Sequence, residues 1–412
     1  MKVVTPVRGT YDYPPIEAEN REIIKQKILR SYQDNGFTLI ETPILENLSL
    51  LDSSEGGDNL RLMFKTIKRG DKLDLTKPNL CEKDIVEEGL RYDLTVPLAR
   101  FYACNREKLP NPFKAIQIGH SFRAERPQKG RNRQFIQCDI DIFGDSSINA
   151  ETEIILTSIN TLISLGLEYV TIKVNSRKIL NSIIKHCGFK DEDINSICIS
   201  LDKLDKIGIS GVEEEIAQKT CQTIYTNKLM KAIEEIRLYG LSCAIDFGAY
   251  AKDVDDLRKI ITTVNEVVGY KAKCEFDLSI IRGQGYYTGT IYEAYAEGFK
   301  GAIGGGGRYD KMVGKLIGID VPAVGFSIGF ERVLIILSEQ GKMKKDKLKI
   351  ALIYDKEDSY TRVLDKKQVL MDRYAVSTYL RPKNMNSMLE KLKFANFDGY
   401  INMNDFEIRK FK

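Results

Sequence analysis

The residues best suited to chemistry lie between Phe113 and Gly144, where two stretches of alternating polarity flank a basic segment. One side of the second stretch presents an aromatic ring, an amide and two carboxylates, at Phe135, Gln137, Asp139 and Asp141. Side chains alternate between the two faces of a β-strand, so these four would share a face and the aliphatic residues between them would pack on a core. The pattern predicts two strands joined by a basic hairpin loop, with a polar face suited to a ligand.

The basic loop could bind phosphate groups. Its charged residues, counted from the end of the first strand, are Arg123, Glu125, Arg126, Lys129, Arg131 and Arg133. Guanidinium groups bind phosphates through paired hydrogen bonds, and an aromatic ring such as Phe135 can stack on a base. The combination favours a nucleotide site. The same residues are equally compatible with a solvated hairpin tip whose charges form only scattered ion pairs.

Three segments in order along the chain resemble the motifs of class II aminoacyl-tRNA synthetases. A helix with Ile24, Ile28 and Tyr32 at helical spacing, followed by the strand-like FTLIETP, resembles motif 1. FRAERPQKGRNRQFIQCD, residues 122–139, resembles motif 2 in the form used by histidyl-tRNA synthetases. VGFSIGFERV, residues 324–333, resembles motif 3. Taken singly, the first and last segments are also compatible with ordinary amphipathic helices beside strands.

RYDLT, residues 91–95, resembles the segment that holds the amino group of the substrate in histidyl-tRNA synthetases. Asp93 can accept a charge-assisted hydrogen bond from an ammonium group, and Thr95 can add a hydroxyl. From the pattern alone, a cap for the helix predicted by LTVPLARFYA is the favoured interpretation of Asp93.

IIRGQGYYTG, residues 280–289, resembles a second signature specific to histidyl-tRNA synthetases, which is usually written RGLDYY. Gln284 and Gly285 replace the usual Leu-Asp pair, whereas Arg282, Tyr286 and Tyr287 are in place. The glycine run that follows at residues 304–307 is not a phosphate-binding P-loop, because no Gly-Lys-Ser/Thr sequence comes after it. We expect those glycines to admit the close approach of a ligand or of another backbone.

The resemblance implies a role for each candidate residue. Arg123 and Arg282 would be catalytic, holding the α-phosphate and the attacking carboxylate. The implied histidine-binding residues are Asp93, Leu94, Thr95, Gln137, Asp141, Tyr286 and Tyr287. The implied ATP-binding residues are Arg123, Glu125, Phe135 and Arg332. Gln128 and Arg131 would meet the acceptor end of tRNA-His. ATP would act with Mg²⁺ as a substrate complex, and neither a prosthetic group nor a metal held by the protein alone is expected.

Composition sets the broad class. The chain has 412 residues, 43% hydrophobic and 29% charged, with a formal net charge of +4, which neither requires nor excludes a nucleic acid. It has no run of eighteen apolar residues and no N-terminal signal-peptide pattern. Eight cysteines are scattered without a CxxC pair, and there are only two histidines. This is typical of a cytoplasmic protein with reduced thiols.

The expected fold class is α/β (α+β). Residues 1–340 are expected to form a class II catalytic domain with an antiparallel sheet, a helical insertion at about 176–268 and a homodimer interface at motif 1. Within these residues, Asn149 is expected to cap a helix at Ala150–Leu165, and a helix of the insertion is expected at Asp256–Val268. Over residues 347–412, strands expected at Leu348–Tyr354, Ala375–Leu380 and Gly399–Asn402 alternate with two helices, which predicts a small, mainly parallel α/β domain. It resembles the anticodon-binding domain of the family, although the usual closing strand and helix are missing. Whether it still binds an anticodon is therefore left open.

Two functions are compatible with these residues. The first is a histidine--tRNA ligase, which activates histidine with ATP and transfers it to the 3′ end of tRNA-His. The alternative is the related regulatory subunit of ATP phosphoribosyltransferase, which senses histidine without catalysis. The shortened C-terminal region favours the alternative, whereas the intact set Arg123, Arg282 and Arg332 favours the ligase, since a sensor has no need to hold phosphates.

Overall fold

The computed structural model describes residues 4–411 except 55–61, 129, 282–285 and 343–346. The chain forms two compact units, one spanning Lys27–Leu337 and the other combining Met1–Gln26 with Ser338–Lys412. Within the described ranges, none of the helices combines the length and apolarity needed to cross a membrane.

The described strands and helices alternate irregularly along the chain. The strands are β1 (Thr38–Leu39), β2 (Leu45–Asn47), β3 (Lys65–Ile67), β4 (Val86–Leu90), β5 (Phe113–Phe122), β6 (Gln134–Phe143), β7 (Val170–Ser176), β8 (Ala272–Phe276), β9 (Thr290–Ala296), β10 (Gly304–Arg308), β11 (Ala323–Gly329), β12 (Leu348–Tyr354), β13 (Tyr374–Leu380), β14 (Gly399–Asn402) and β15 (Arg409–Lys410). The helices are α1 (Pro15–Asp34), α2 (Leu48–Ser54), α3 (Glu82–Ile85), α4 (Thr95–Asn105), α5 (Ile148–Ser164), α6 (Arg177–His186), α7 (Asp191–Leu201), α8 (Leu204–Thr220), α9 (Thr223–Tyr239), α10 (Ala251–Val268), α11 (Gly314–Ile317), α12 (Phe330–Glu339), α13 (Tyr360–Met371) and α14 (Met385–Phe394).

An eight-stranded sheet organises the larger unit. Its strand order is β1-β5-β6-β11-β10-β9-β7-β8, and all neighbours are antiparallel except the pairs β1–β5 and β7–β8. β5 and β6 form the predicted hairpin, paired from Phe113 opposite Phe143 to Phe122 opposite Gln134. The predicted antiparallel sheet is therefore confirmed. A smaller antiparallel sheet, β2-β4-β3, lies in the same unit.

The aliphatic face of β6 packs into the core, as predicted. Cys138, Ile140 and Ile142 are buried on this face, and α5 packs on β6 and β11. The hydroxyl of Tyr32 in α1 donates to the carbonyl of Cys138 at 3.2 Å. Burial of such side chains contributes about 1.5–3 kcal/mol each. This buried face fixes the strand so that Phe135 and the alternate polar side chains project from the opposite face.

Helices α6 to α10 lie between β7 and β8 in the chain, where a helical insertion was predicted. Two predicted helix boundaries are wrong. α10 begins at Ala251, before the predicted start at Asp256, and α5 spans Ile148–Ser164 with Ser147 at its N-cap instead of Asn149. The Ser147 side chain makes no capping hydrogen bond, so no side-chain cap marks that start.

The smaller unit contains the sheet β13-β12-β14-β15. β12, β13 and β14 are parallel, which confirms the predicted mainly parallel α/β arrangement, and β15 adds an antiparallel edge that the pattern did not predict. Ile350, Leu352, Val363 and Ile401 form a buried cluster in this unit.

Candidate active site

A cavity of about 330 Å³ opens on the polar face of β6. Its walls come from the RYDLT segment before and at the start of α4, the basic hairpin loop, and strands β6, β9, β10 and β11. The Tyr286–Tyr287 pair and the first turn of α12 complete them. Phe135, Gln137, Asp139 and Asp141 all line it, as their shared face predicts.

Three buried carboxyl groups line the cavity, at Asp93, Asp139 and Asp141, and each side chain is only about 3% exposed. Burial raises the pKa of Asp93 and raises the pKa of Asp139 well above its ordinary range, with the charge of Asp141 adding to the latter. Burial also raises the pKa of Asp141 to about 7, against a hydrogen bond from Tyr309. A cation would relieve this concentration of buried negative charge.

The two carboxyl oxygens of Asp93 have different environments, one suited to a helix cap and the other to an ammonium group. Oδ1 accepts from the backbone N–H of Val96 at 3.1 Å and so caps the first turn of α4. Oδ2 is buried and has no hydrogen-bond partner among the described residues. Thr95, the first residue of α4, also lines the cavity. Leu94 does not line it, because its side chain is buried in the core.

Gln137 is held by its amide nitrogen, which donates to the hydroxyl of Ser327 on β11 at 3.2 Å. Its Oε1 is buried and has no partner in the part of the chain that the structure describes. The side chain therefore offers an acceptor oxygen to the cavity that it lines.

Asp141 is positioned by Tyr309, whose hydroxyl donates to Oδ1 of the carboxyl. Gly325 on β11 pairs with Asp141 on β6, and a Cβ atom at Gly325 would lie 1.8 Å from the same Oδ1 atom. Gly306 pairs with Phe326, and a Cβ at Gly306 would lie 1.9 Å from the carbonyl of Gly325. The glycine run therefore permits close approach of neighbouring backbone, one of the two roles expected for it.

Tyr286 and Tyr287 are buried and line the cavity, with ring centroids 4.6 Å apart. The ring of Tyr286 also meets that of Tyr309 edge-to-face at 6.0 Å. These contacts place Tyr286 beside Tyr309, the residue that donates to Asp141, and place Tyr287 beside Tyr286 in the same cavity. Arg282 lies outside the described residues, as do the departures at Gln284 and Gly285.

Arg123 is held between two aromatic rings. Its guanidinium lies 4.2 Å from the ring centroid of Tyr92 and 5.0 Å from that of Phe135, and its Nε donates to the carbonyl of Tyr92 at 3.2 Å. Such contacts restrict the side chain while leaving guanidinium N–H groups for an anion. Arg123 also lowers the pKa of Asp93 and of Asp139, although burial outweighs it at both.

Arg332 and Glu331 extend into the cavity from the first turn of α12. Arg332 Nη1 donates to the carbonyl of Ala302, and the buried Glu331 accepts from the backbone N–H of Ile136 at 3.3 Å. Glu125 lines the cavity from the hairpin loop. The loop thus brings its acidic residue and its first arginine to the same space as the motif 3 arginine.

The tip of the basic hairpin is closed by two backbone hydrogen bonds between Gln128 and Arg131, of 3.0 and 2.9 Å. Both side chains are exposed, and Arg131 also borders the cavity. Gln128 does not line it. The two residues predicted to meet tRNA are therefore at the outer part of the loop.

Several lining residues were not assigned from the sequence: Asp139, Tyr309, Glu293 and Glu331. The sequence did indicate that Asp139 faces the cavity, since it shares the alternating face of β6 with Gln137 and Asp141. Glu331 precedes the motif 3 arginine. Tyr309 follows β10 directly, and its contact with Asp141 depends on strand pairing that local sequence does not encode.

The chain is similar to known proteins of one family. The sequence profile of the family described as histidyl-tRNA synthetase matches residues 9–333. The histidine--tRNA ligase of Leifsonia xyli subsp. xyli is 38% identical over 410 residues, which cover 96% of this chain and 94% of that protein. The histidine--tRNA ligase of Christiangramia forsetii is 38% identical over 351 residues, covering 81% of this chain and 76% of that protein.

Solved structures share the fold. Histidyl-tRNA synthetase from Nostoc sp. PCC 7120 superposes with a TM-score of 0.76 and 25% identity, covering 98% of this chain and 92% of that one. A Bacillus halodurans protein described as an ATP phosphoribosyltransferase regulatory subunit/histidyl-tRNA synthetase gives the same TM-score at 18% identity, covering 98% and 97%. The latter likeness supports the fold alone. Together with the profile match and the 38% identical relatives, the motifs establish that this chain belongs to the histidyl-tRNA synthetase family.

Proposed function

We propose that this protein is a histidine--tRNA ligase, which forms histidyl-adenylate from histidine and ATP and then transfers the histidyl group to the 3′ end of tRNA-His. The observation that carries the proposal is a single cavity that holds both buried acceptor oxygens and arginines. The acceptors suit an amino acid's ammonium group, and the arginines suit phosphates.

Activation requires positioning more than a nucleophilic side chain. A carboxylate oxygen of histidine attacks the α-phosphorus of ATP, the bond to the β-phosphate oxygen breaks, and pyrophosphate leaves. Arg123, held between Tyr92 and Phe135, would stabilise the charge on the α-phosphate with little reorganisation. Arg282 is proposed to hold the attacking carboxylate, and Arg332 the outer phosphates.

The remaining nucleotide contacts are proposed for Glu125 and Phe135, which would fix the adenine. Magnesium belongs to the substrate complex with ATP and offsets the charge of the phosphates. Glu293 and Glu331 line the same cavity, and carboxylate oxygens are ligands that Mg²⁺ accepts. These two residues are the candidates for contact with the metal-bound nucleotide.

Histidine recognition is proposed to use two sets of polar groups. Asp93, Thr95 and Gln137 would bind the ammonium, and Asp141 and Tyr287 would bind the two ring nitrogens. The hydrogen bond from Tyr309 leaves the carboxyl of Asp141 oriented for this purpose. An amino acid without an imidazole would leave these buried groups unpaired, which is a strong basis for rejection.

Transfer follows when a hydroxyl of the terminal ribose of tRNA attacks the carbonyl carbon of the adenylate and AMP leaves. Gln128 and Arg131 on the hairpin tip are proposed to contact the acceptor end, since both are exposed and Arg131 also borders the cavity. Residues 347–412 are proposed to form an anticodon-binding-like domain. The parallel sheet of β12, β13 and β14 supports this assignment.

We also propose a homodimer formed through motif 1. β1 is an edge strand of the large sheet, and Leu39, Ile44 and Leu45 in and after it are each more than 40% exposed. Such an apolar edge is suited to a protein interface. A cytoplasmic location is part of the proposal because the eight cysteines are free thiols.

The alternative is a histidine-sensing regulatory subunit of ATP phosphoribosyltransferase. The structure bearing that description is 18% identical to this chain, whereas the relatives named as ligases are 38% identical over most of it. The stacked Arg123 favours the ligase, because a sensor of histidine alone does not require a phosphate-binding arginine in the histidine cavity.

Histidine-dependent exchange of labelled pyrophosphate into ATP, measured without tRNA, tests the activation step. We expect exchange by the wild type and a loss of about 100-fold or more in Arg123→Ala. The exposed Arg126 in the same loop provides a matched control, and Arg126→Ala should retain activity. Histidine binding without exchange by the wild type would instead support the regulatory function.

A further inference from the structure

Three buried acceptor oxygens in the cavity have no hydrogen-bond donor among the described residues. They are Asp93 Oδ2, Gln137 Oε1 and Asp139 Oδ1. All three residues line the same cavity and are at most 9% exposed. A buried acceptor without a donor is costly, and an ammonium group carries three N–H donors. The number of free acceptors therefore matches the number of donors on one ammonium.

Asp139 is connected to Gln137 through Ser327, which lies opposite it on β11. The Ser327 hydroxyl hydrogen-bonds to the Asp139 carboxyl and lowers its pKa, as expected of a donor to the charged form. A hydroxyl has one proton to donate, so the Ser327 oxygen receives its other hydrogen bond from the amide nitrogen of Gln137. This chain of hydrogen bonds turns Gln137 Oε1 away from Ser327 and leaves it free as an acceptor.

β5, the neighbour of β6 on the side away from β11, does not supply a hydrogen-bond donor to Asp139 Oδ1. Gln117 lies opposite Asp139 on β5, but its Nε2 donates to the carbonyl of Leu94 at 2.8 Å. Its Oε1 accepts from the hydroxyl of Thr42, also at 2.8 Å. Both polar ends of this amide are thus directed to other partners.

The electrostatics point to a positively charged ligand. Burial and the charges of Asp141 and Asp93 all disfavour the ionised form of Asp139, and Arg123 only partly opposes them. Arg91 interacts with Asp139 electrostatically, but its guanidinium is occupied by backbone carbonyls such as that of His120, at 2.7 Å from Nε. A ligand cation beside Asp139 would favour its ionised form and satisfy Oδ1.

We propose that Asp139, in place of the Thr95 hydroxyl, is the third acceptor of the substrate's ammonium group, together with Asp93 and Gln137, and that it orients Gln137 through Ser327. The identification of that ammonium with the α-amino group of histidine rests on the proposed function. Asp139 is therefore a residue that distinguishes histidine from analogues that keep the ring and the carboxylate but lack the amine.

The test compares equilibrium binding of histidine and of 3-(imidazol-4-yl)propionate, which lacks only the α-amino group, by calorimetry without ATP. Asp139→Asn should weaken histidine binding about 10- to 100-fold, the range for one hydrogen bond to a charged group. Binding of the deaminated analogue should change less than about threefold. Asp141→Asn is the matched control, since loss of the proposed ring contact should weaken both ligands.

Equal weakening of both ligands by Asp139→Asn, or no weakening of either, would overturn the proposal. Ser327→Ala gives an independent measurement if the first variant does not fold. It removes the link between Asp139 and Gln137 and should reduce the preference for histidine over the analogue by about three- to tenfold. An unchanged preference in Ser327→Ala would also count against the inference.

The same measurements separate this inference from the proposed function. A wild-type protein that does not bind histidine would contradict both. A wild type that binds histidine but fails in aminoacylation would contradict only the ligase assignment, and the two-ligand comparison would still apply. A third result is a wild type that binds histidine and charges tRNA-His while Asp139→Asn leaves the preference for histidine over the deaminated analogue unchanged. That result would contradict only the role of Asp139.

Discussion

Replacing Asp141 by asparagine should stabilise the ligand-free protein in a pH-dependent way. Burial raises the pKa of this carboxyl from its ordinary value of 3.8 to about 7. The pKa of Asp141 is higher in the folded state than in the unfolded state. The protonated carboxyl therefore leaves the free energy of unfolding undiminished below about pH 4, and this stability is lost as the pH rises through 7. One pKa unit is worth about 1.4 kcal/mol, so the full cost of ionising Asp141 is about 4 kcal/mol.

Asparagine keeps an oxygen that can accept from the Tyr309 hydroxyl but cannot ionise. Relative to wild type, Asp141→Asn should therefore gain about 1.5 kcal/mol at pH 5 and about 4 kcal/mol at pH 8. The charge of Asp141 also raises the pKa of Asp139. Removing that charge makes ionised Asp139 less unfavourable, which further increases the stability of the variant. Urea unfolding of the ligand-free proteins at the two pH values measures both gains.

Asp71→Asn makes the same chemical change at an exposed position in the same unit. This control should alter the free energy of unfolding by less than about 0.5 kcal/mol at either pH. An Asp141→Asn variant that is less stable than wild type at pH 8, or that gains the same free energy of unfolding at both pH values, would contradict a raised pKa at Asp141. The variant should also discriminate less well between histidine and other amino acids, and unchanged discrimination would remove Asp141 from the proposed imidazole contacts.

Three further substitutions test the proposed site. Arg282→Ala should depress adenylate formation far more than histidine binding, and equal losses in exchange and binding assays would undercut its role. Tyr309→Phe removes the hydroxyl that orients Asp141; calorimetry should show histidine binding about 5- to 20-fold weaker, and unaltered affinity would contradict that role. Gly325→Ala places a Cβ within 1.8 Å of the Asp141 carboxyl, so thermal melting and histidine binding should both decline, whereas wild-type values for both would show that the strands adjust freely.

The sequence predicted the parts of the fold that depend on local periodicity. The alternation in β6 correctly separated the aliphatic face at Cys138, Ile140 and Ile142 from the polar face, because the strand repeat is two residues. The strands Leu348–Tyr354 and Gly399–Asn402 were also predicted with the observed bounds. Both results reflect short, regular patterns between clear turn signals.

The features that were missed depend on contacts between distant segments. The placement of Tyr309 beside Asp141 and of Ser327 beside Asp139 follows from antiparallel pairing in the large sheet. Local patterns do not specify that strand order. Asp139 and Asp141 share one face of β6, and their different hydrogen-bond partners, which local sequence does not encode, support the separate roles proposed for them. The start of α5 was misplaced because its N-cap, Ser147, makes no side-chain capping bond.

The ligase assignment and the regulatory alternative differ most directly in the second chemical step. We would measure the transfer of labelled histidine to purified tRNA-His in the presence of ATP and Mg²⁺, with tRNA of another specificity as the control. A histidine--tRNA ligase should charge tRNA-His in a histidine- and ATP-dependent reaction and leave the control tRNA uncharged. A purified protein that binds histidine but leaves tRNA-His uncharged would contradict the ligase assignment.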